Sequence, residues 1–559
     1  MKTSLLTLKL FFLFLITQAQ NSTLIDFKTI GNLNPNSFDV IRNDAGSLRI
    51  AGVTSGSTNV SLNSGVSTIL SAHTNQDMFW IDADYFLQNT NSANFIEGTN
   101  YDFVREVEIL KSPASGALMG MNSNGGVLNI NTNTVNIPTP FGIIYDVDVN
   151  SFVRAWKTFS ASVNFSLSDV KSSGTDYFIG ASWGGSFQNG TSNFTSQGSS
   201  DGIIARGGFA GTNFQWAGRI SAPGFNYVDK IWYDEDHNEL YAVCQLFSSG
   251  DYHLGASSTP VSTAGPSNNV MLMKLNASNG TLLDHTMFYS TNHINVSGVF
   301  TTDNSVYVGV NINGNVFTQS PSTTINRIGS SDQAVLKFNR QLDFESSFVS
   351  GTNSIDVANR FRKARFGNSD RLVLTGFYSF DNTGTGGSFN QQASVLVLDE
   401  NLNLIDSLVF GHSGYEAAYD ADVDQSGFLY VVGGFNDTAS FDPSGRGIYV
   451  VSQGAFDAFI AKFNAMSLGT FDESSIDRLF MLSPNPAKEH FTMEVFLPGS
   501  QMFRLEIYSQ HGSLVHSEEL TATDHLKKNI GIKSYSPGIY IVQVRTEDAH
   551  YTRKLLVMN

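Results

Sequence analysis

Only one cysteine, Cys244, occurs in the 559 residues, so no intrachain disulfide can form and stability must come from burial. Charge is scarce too: 15% of residues are Asp, Glu, Lys or Arg, and 33 cationic side chains face 50 acidic ones. The net charge of −17 argues against nucleic acid and anionic membranes as partners, since both are gripped by cationic patches. There is no Walker loop, no dinucleotide fingerprint and no His-Glu-x-x-His, and the 11 histidines lack zinc-ligand spacing. Long apolar runs are missing as well. The run Leu10-Phe11-Phe12-Leu13-Phe14-Leu15-Ile16 is too short to span a bilayer. Behind Met1-Lys2-Thr3 it reads as the apolar region of a secretory signal peptide, with cleavage after Ala19 in Thr17-Gln18-Ala19. No cysteine lies near it to take a lipid anchor, and no transmembrane segment is expected in the mature chain.

What is abundant is Gly, Ser, Asn, Thr and aromatic residues, the mixture of an all-β extracellular protein rich in turns rather than a disordered chain. The middle of the chain repeats. Asp457-Ala458-Phe459-Ile460-Ala461-Lys462-Phe463-Asn464 has earlier copies beginning at Asp332 and Asn269, and fainter ones at Gln392, Asp201, Phe141 and Asp77. A second element, Asp424-Gln425-Ser426-Gly427-Phe428-Leu429-Tyr430-Val431-Val432-Gly433, recurs in phase. Its last position is Gly52, Gly120, Gly180, Cys244, Gly309, Gly376 and Gly433. Two independent series of seven with nearly one period define seven units. Each holds about four strand-like runs; in the sixth they are Val357 to Phe366, Leu372 to Phe377, Ser394 to Asp399 and Leu402 to Phe410. Seven times four strands predicts a seven-bladed β-propeller, with two sandwiches or a solenoid as the alternative. The extra length of each unit is assigned to loops such as Asn382 to Gly387 and Ser258 to Asn269. The repeats resemble the β-propeller repeats of secreted bacterial proteins, with their Asp-x-x-Gly-x-x-Tyr-Val-x-Gly and Asp-Ala-Phe-x-x-Lys-x-Asn patterns.

The last stretch is different. It opens with Leu482-Ser483-Pro484-Asn485-Pro486-Ala487 and contains short alternating runs at Phe491 to Val495, Phe503 to Tyr508 and Ile539 to Val544. Pro498-Gly499, His511-Gly512 and Pro537-Gly538 punctuate them, which predicts a small antiparallel β-sandwich. The elements Pro484, Asn485 and Pro486, then Gly512, then Gly538 and Tyr540, then Lys554 and Val557 resemble the type A C-terminal sorting domain of the type IX secretion system. That resemblance implies a signal read by an outer-membrane translocon and cut by a sorting-domain protease, with the cargo released or held at the cell surface. An ordinary C-terminal binding sandwich is the alternative. The expected organisation is a signal peptide at 1–19, a seven-unit propeller at 22–465, a polar linker at 466–480 and the sorting domain at 481–559.

Chemistry-bearing residues are few. Acidic residues alternate before the Leu-Tyr strand at Asp420, Asp422 and Asp424, and more weakly at Asp234-x-Asp236-x-Asn238 and Asp146-x-Asp148. Alternating oxygens suit Ca²⁺, but an Asx turn closing a hairpin needs the same residues. Gly180-Ala181-Ser182-Trp183-Gly184 matches the serine-hydrolase pattern, which works only at a strand-to-helix elbow; the turn-rich run after Gly184 predicts no helix. Arg360, Arg362 and Arg365 fall on a predicted channel-lining strand. They are either an anion site or ion-pair partners of Glu416 and Asp420 on the next unit. Trp156, Trp216 and Trp232 lie in strand runs and are expected in the core rather than on a sugar. Cys244 is expected to be a buried, inert thiol. Two functions stand: a noncatalytic propeller binding an extracellular protein or polysaccharide, or a secreted glycan-active or other hydrolase with its site at the channel mouth.

Overall fold

The structure is a computed structural model that describes residues 23–465 and 480–558, apart from short loop segments within them. The expected signal peptide, its cleavage site at Ala19 and nearly all of the expected linker lie outside the described residues.

Every regular element among the described residues is a β-strand. Between residues 33 and 464 seven antiparallel sheets succeed one another, each built on a four-stranded meander. Sheet I runs from Leu33–Asn43 to Thr90–Gly98, sheet II from Asp102–Leu110 to Val153–Ser160, and sheet III from Asn164–Ser173 to Trp216–Ser221. Sheet IV runs from Tyr227–Asp234 to Leu282–Ser290, sheet V from Ile294–Thr301 to Phe344–Ser350, and sheet VI from Val357–Phe366 to Leu404–Phe410. Sheet VII has three strands of its own, Glu416–Val423, Phe428–Phe435 and Asp457–Asn464. Its fourth is Thr23–Ile30, paired antiparallel from Thr23 opposite Asn464 to Ile30 opposite Ala458.

The middle strands are covered on both faces: Ser305–Ile312 and Phe428–Phe435 are buried at all eight positions, which is why they read as continuous apolar runs. They are covered because each sheet packs face to face on the next. Seven apolar cores fill the successive gaps, and the seventh joins Tyr430, Val432 and Ile460 of sheet VII to Ile50, Phe79 and Ile81 of sheet I. The first strands likewise touch in succession, and Glu416–Val423 packs against Leu33–Asn43.

The repeat motifs now have physical meanings. Tyr430 lies directly opposite Lys462, as Tyr241 does Lys274 and Tyr307 does Lys337, so the two motifs are cross-strand partners. Lys462 is buried, with its ammonium 4.2 Å from the Phe428 ring centre and 2.8 Å from the carbonyl of Tyr85 on sheet I. The leading Asp is a loop cap: Asp457 accepts from the Gln453 amide, Asp332 from Ile328 and Asp201 from Gln197. The trailing Asn closes the next turn, Asn339 accepting from the Gln341 and Asp343 amides at 2.9 Å each. Gly433 has no room for a Cβ, which would sit 2.0 Å from the Ala417 carbonyl and 2.5 Å from the Phe459 ring.

The extra length of several units is part hairpin and part loop, with Ser258 and the residues to Val261 in a strand and the stretch from there to Asn269 irregular where described. Between the second and third strands of sheet IV, Gly250–Leu254 and Ser257–Val261 form a hairpin that pairs with Trp216–Ser221 of sheet III. Hairpins from sheets V and II add in the same way to sheets IV and I. Outer edges that would attract foreign strands are thereby paired to a neighbour. The other expected loop, 382–387, lies outside the described residues.

Residues 480–558 form one hydrogen-bonded network of five strands. The expected break at Pro498-Gly499 is absent: His490–Ser509 is a single strand, with only a register shift between Phe496 and Ser500. Its first half pairs with Phe480–Ser483 and its second half with Gly538–Arg545, and this double duty holds the network in one piece. Phe491, Leu505, Tyr540, Val544 and Val557 share its core. Pro484 and Pro486 are exposed, Gly538 opens a strand, Lys554 lies opposite Ile541, and Asn485 and Gly512 fall outside the described residues.

Candidate functional site: the first strands and their loop end

Each first strand from sheet II to sheet VII carries one extra residue at the same place. The register shifts fall between Val104 and Glu106, Leu167 and Asp169, Val228 and Lys230, Val296 and Gly298, Ala358 and Arg360, and Ala418 and Asp420. Such bulges bend a strand and re-aim its side chains. Neighbouring sheets fix the bent segments. The Asn122 amide brackets Leu167, accepting from its N–H and donating to its carbonyl at 2.8 Å each, and Asn311 does the same for Ala358. Asn359 donates to the Ala418 carbonyl at 2.9 Å, and Asp169 accepts from the Ile231 amide at 2.9 Å. Sequence patterning missed these clamps; two asparagines, each two residues after the repeat glycine, were the available signal.

Two of the three arginines converge, on an acidic side chain of the next sheet. Arg362 pairs with the fully buried Asp420 at 2.7 Å, Arg360 stands 4.0 Å from the same carboxylate, and Arg365 is exposed and lies opposite Asp370 in register. Arg360 and Arg362 are thus tied to the next sheet, as expected of charges removed from water. Glu416 takes no part in this pairing. Its carboxyl is fully buried and accepts no well-formed side-chain hydrogen bond; burial pushes it up to about 8 against the pull of the His412 backbone N–H. On sheet IV the inserted residue Asp229 is half-buried and is raised to about 7 by loss of water, although the Gln245 amide at 3.0 Å and the Lys230 charge pull it down. Gln245 in turn accepts from the Tyr227 hydroxyl at 2.8 Å.

The acidic clusters are occupied by the protein itself. Asp424 accepts from the Phe428 amide at 3.0 Å and the Tyr430 hydroxyl at 2.9 Å, an Asx turn between first and second strands. Asp422 is half-buried and accepts from the Val423 amide at 2.8 Å. Burial raises Asp234, but hydrogen bonds from Arg340, His237 and Thr301 prevail and hold its carboxyl below the usual range. Asp146 pairs with Arg154. Among the described residues no group of three or more His, Cys, Asp or Glu is placed to hold a metal ion.

Ser182 lies mid-strand in Asp176–Gly184, and the chain continues past Gly184 into another strand, Ser186–Asn189. Trp216 and Trp232 pack in the cores and donate to the Ala277 carbonyl and the Thr301 hydroxyl, and Trp156 packs against the core between sheets I and II. Cys244 is buried against Met273, and burial raises its thiol well above the ordinary value.

The end of the sheets where first strands begin and second strands finish is built differently. There the segment entering one sheet clasps the segment entering the third strand of the sheet before it. Ser199 and Ser200 donate to the Gly224 carbonyl, and Asn226 returns a bond to Ser200; Ser330, Ser331, Ser354 and Asp356 repeat this pattern. The residue at the crossing, Phe225 or Ile355, is pushed outward. Of the eight exposed large apolar residues described between 23 and 465, seven lie on segments at this end: Val163, Phe225, Phe247, Ile328, Ile355, Tyr449 and Val451. Only Leu283 lies at the other.

Residues 482–558 match the family described as secretion system C-terminal sorting domain. This module directs export by the type IX system to the cell surface or extracellular space, and implies that system and its sorting protease as partners. No curated protein matches the chain. Among solved structures, a protein of unknown function from Dyadobacter fermentans is 8% identical with a TM-score of 0.40, covering 80% of this chain and 99% of that one. The phage phi92 endosialidase is 10% identical with a TM-score of 0.31, covering 83% and 71%. An arabinoxylan arabinofuranohydrolase from Bacillus subtilis is 11% identical with a TM-score of 0.26, covering 95% and 93%. These likenesses are too distant to bear on fold or chemistry.

Proposed function

We propose that the cargo is a seven-bladed β-propeller, cleaved after Ala19 on export and joined by a linker at 466–480 to its sorting domain. It acts without catalysis by binding a protein or polysaccharide at or beyond the cell surface. Seven cores between successive sheets, and a seventh sheet completed by Thr23–Ile30, support the propeller reading. One observation carries the binding reading: the exposed large apolar side chains gather at the loop end, although the opposite end has loops of its own. Charge at Ile355 and Val451 should therefore block binding. Purified full-length protein is tested for adherence to cells that lack it, comparing Ile355→Asp/Val451→Asp with Leu283→Asp. Loss only with the loop-end pair is expected; loss only with Leu283→Asp would overturn the assignment.

The second reading, a glycan-active or other hydrolase, draws on Asp229. A half-buried carboxyl with a raised pKa beside a Tyr–Gln relay is the kind of group that general acids use. Release of reducing sugar from polysaccharides by the wild type, abolished in Asp229→Asn, would favour it.

A further inference from the structure

We propose that Phe225 and Phe247 at the loop end of sheet IV form a platform for an uncharged polysaccharide; this rests on the binding reading above and names its ligand class. The two rings are 60% and 69% exposed, yet the backbone that presents them is firmly held. Asn226 is fully buried between them. Its side chain accepts from the Phe247 amide at 3.2 Å and donates to the Ala222 carbonyl at 2.7 Å and the Ser200 carbonyl at 3.3 Å. Ser248 adds a hydroxyl bond to the Pro223 carbonyl at 2.8 Å. Gly224, at φ +95°, lies beneath Phe247: a Cβ there would come within 3.0 Å of that side chain, so the two phenylalanines flank a single glycine. A platform fixed before binding loses little entropy when a ligand arrives.

Three features of this patch select the ligand. The segments 197–200, 222–226 and 247–250 hold no Asp, Glu, Lys or Arg, so nothing on them would match a charged partner. The molecule around them carries −17, which repels acidic polymers. Two half-exposed phenylalanines also offer only about 200–300 Å², far below the ~800 Å² per partner of a stable protein interface. A sugar ring fits all three. It is neutral, its C–H face suits the negative face of an aromatic ring, and its hydroxyls find the serines at the rim.

Affinity electrophoresis of the full chain through gels containing hydroxyethyl cellulose, soluble starch or xyloglucan tests this, with polygalacturonate as the charged control. The wild type should be retarded by at least one neutral polymer. Phe225→Ala/Phe247→Ala should weaken retardation at least tenfold with an unchanged urea midpoint, and Phe225→Tyr/Phe247→Tyr should keep it. Wild-type protein unretarded by every neutral polymer, retardation by polygalacturonate alone, or an alanine pair that behaves as wild type would each overturn the proposal. Cell adherence lost in Ile355→Asp/Val451→Asp but intact in Phe225→Ala/Phe247→Ala would overturn it while leaving the loop end as the binding face.

Discussion

Asn311 of sheet V grips Ala358 of sheet VI by both of its backbone groups, accepting from the N–H at 2.5 Å and donating to the carbonyl at 2.9 Å. The grip falls immediately before the residue that bulges the first strand of sheet VI. It satisfies two buried groups that the bulge removes from ordinary ladder pairing. Asn311→Ala should lower stability by about 2–4 kcal/mol, since each orphaned buried group costs about 1–3 kcal/mol. Tryptophan fluorescence in urea measures this cleanly, because all five tryptophans precede residue 233 and none is in the sorting module. An unchanged midpoint would count against the clamp.

Arg362 and Asp420 make the second prediction. Arg362→Met takes the nearest cation from a buried carboxylate and leaves Arg360 further off, and should cost about 3 kcal/mol. Arg362→Met/Asp420→Leu removes both charges and should recover most of that loss in thermal unfolding. A double variant as unstable as the single one would show that packing, not charge, was lost.

Glu416 sets a pH dependence. Its folded pKa of about 8 lies above its ordinary value of 4.5, so between those limits the unfolded chain gives up a proton that the folded one keeps. The unfolded state then binds fewer protons, and stability falls as pH rises, by up to about 1.4 kcal/mol per unit through the window. Urea midpoints at pH 5.5 and 8.5 should lie further apart in the wild type than in Glu416→Gln. Asp229 and Asp356, raised to about 7 and about 6, act with the same sign and remain in both proteins.

Chelation should change nothing. Asp424 and Asp234 already accept bonds from Tyr430 and Arg340, so EDTA is expected to leave the melting temperature of the full chain within error. A drop of several degrees, restored by Ca²⁺, would reopen the acidic turns as metal sites.

Export gives the last test. A chain ending at residue 480 should stay in the cells of a type IX-competent host, while the full chain reaches surface or medium. Fractionation with an antibody to the sheets decides it.

Much of this architecture was legible from spacing. Gly433 and its counterparts mark where first strands and ring edges crowd the backbone, and the Asp and Asn that bracket Asp457–Asn464 are turn caps, so backbone geometry enforces both series. The pairing of Arg362 with Asp420 was readable too, because unlike charges fell on adjacent first strands. The loop-end clasps were not. Ser200 and Phe225 meet across two sheets through backbone groups that any residue supplies, so no side-chain pattern announces them. The hairpins hid for a similar reason: polar strands such as Ser257–Val261, exposed at four of five positions, have the composition of loops.

The pairing of Thr23–Ile30 with Asp457–Asn464 couples segments about 430 residues apart in sequence, from Ile30 to Ala458. Contacts of such range form late, so the closing of this pair should be a slow step of folding. Joining the ends adds little entropy cost beyond that of a shorter loop, because the cost grows only with the logarithm of length. The latch is complete by Asn464, ahead of every residue of the sorting module. A protease that removes the address after delivery would cut outside the clasp, and the seven sheets would stay latched once the tail is gone.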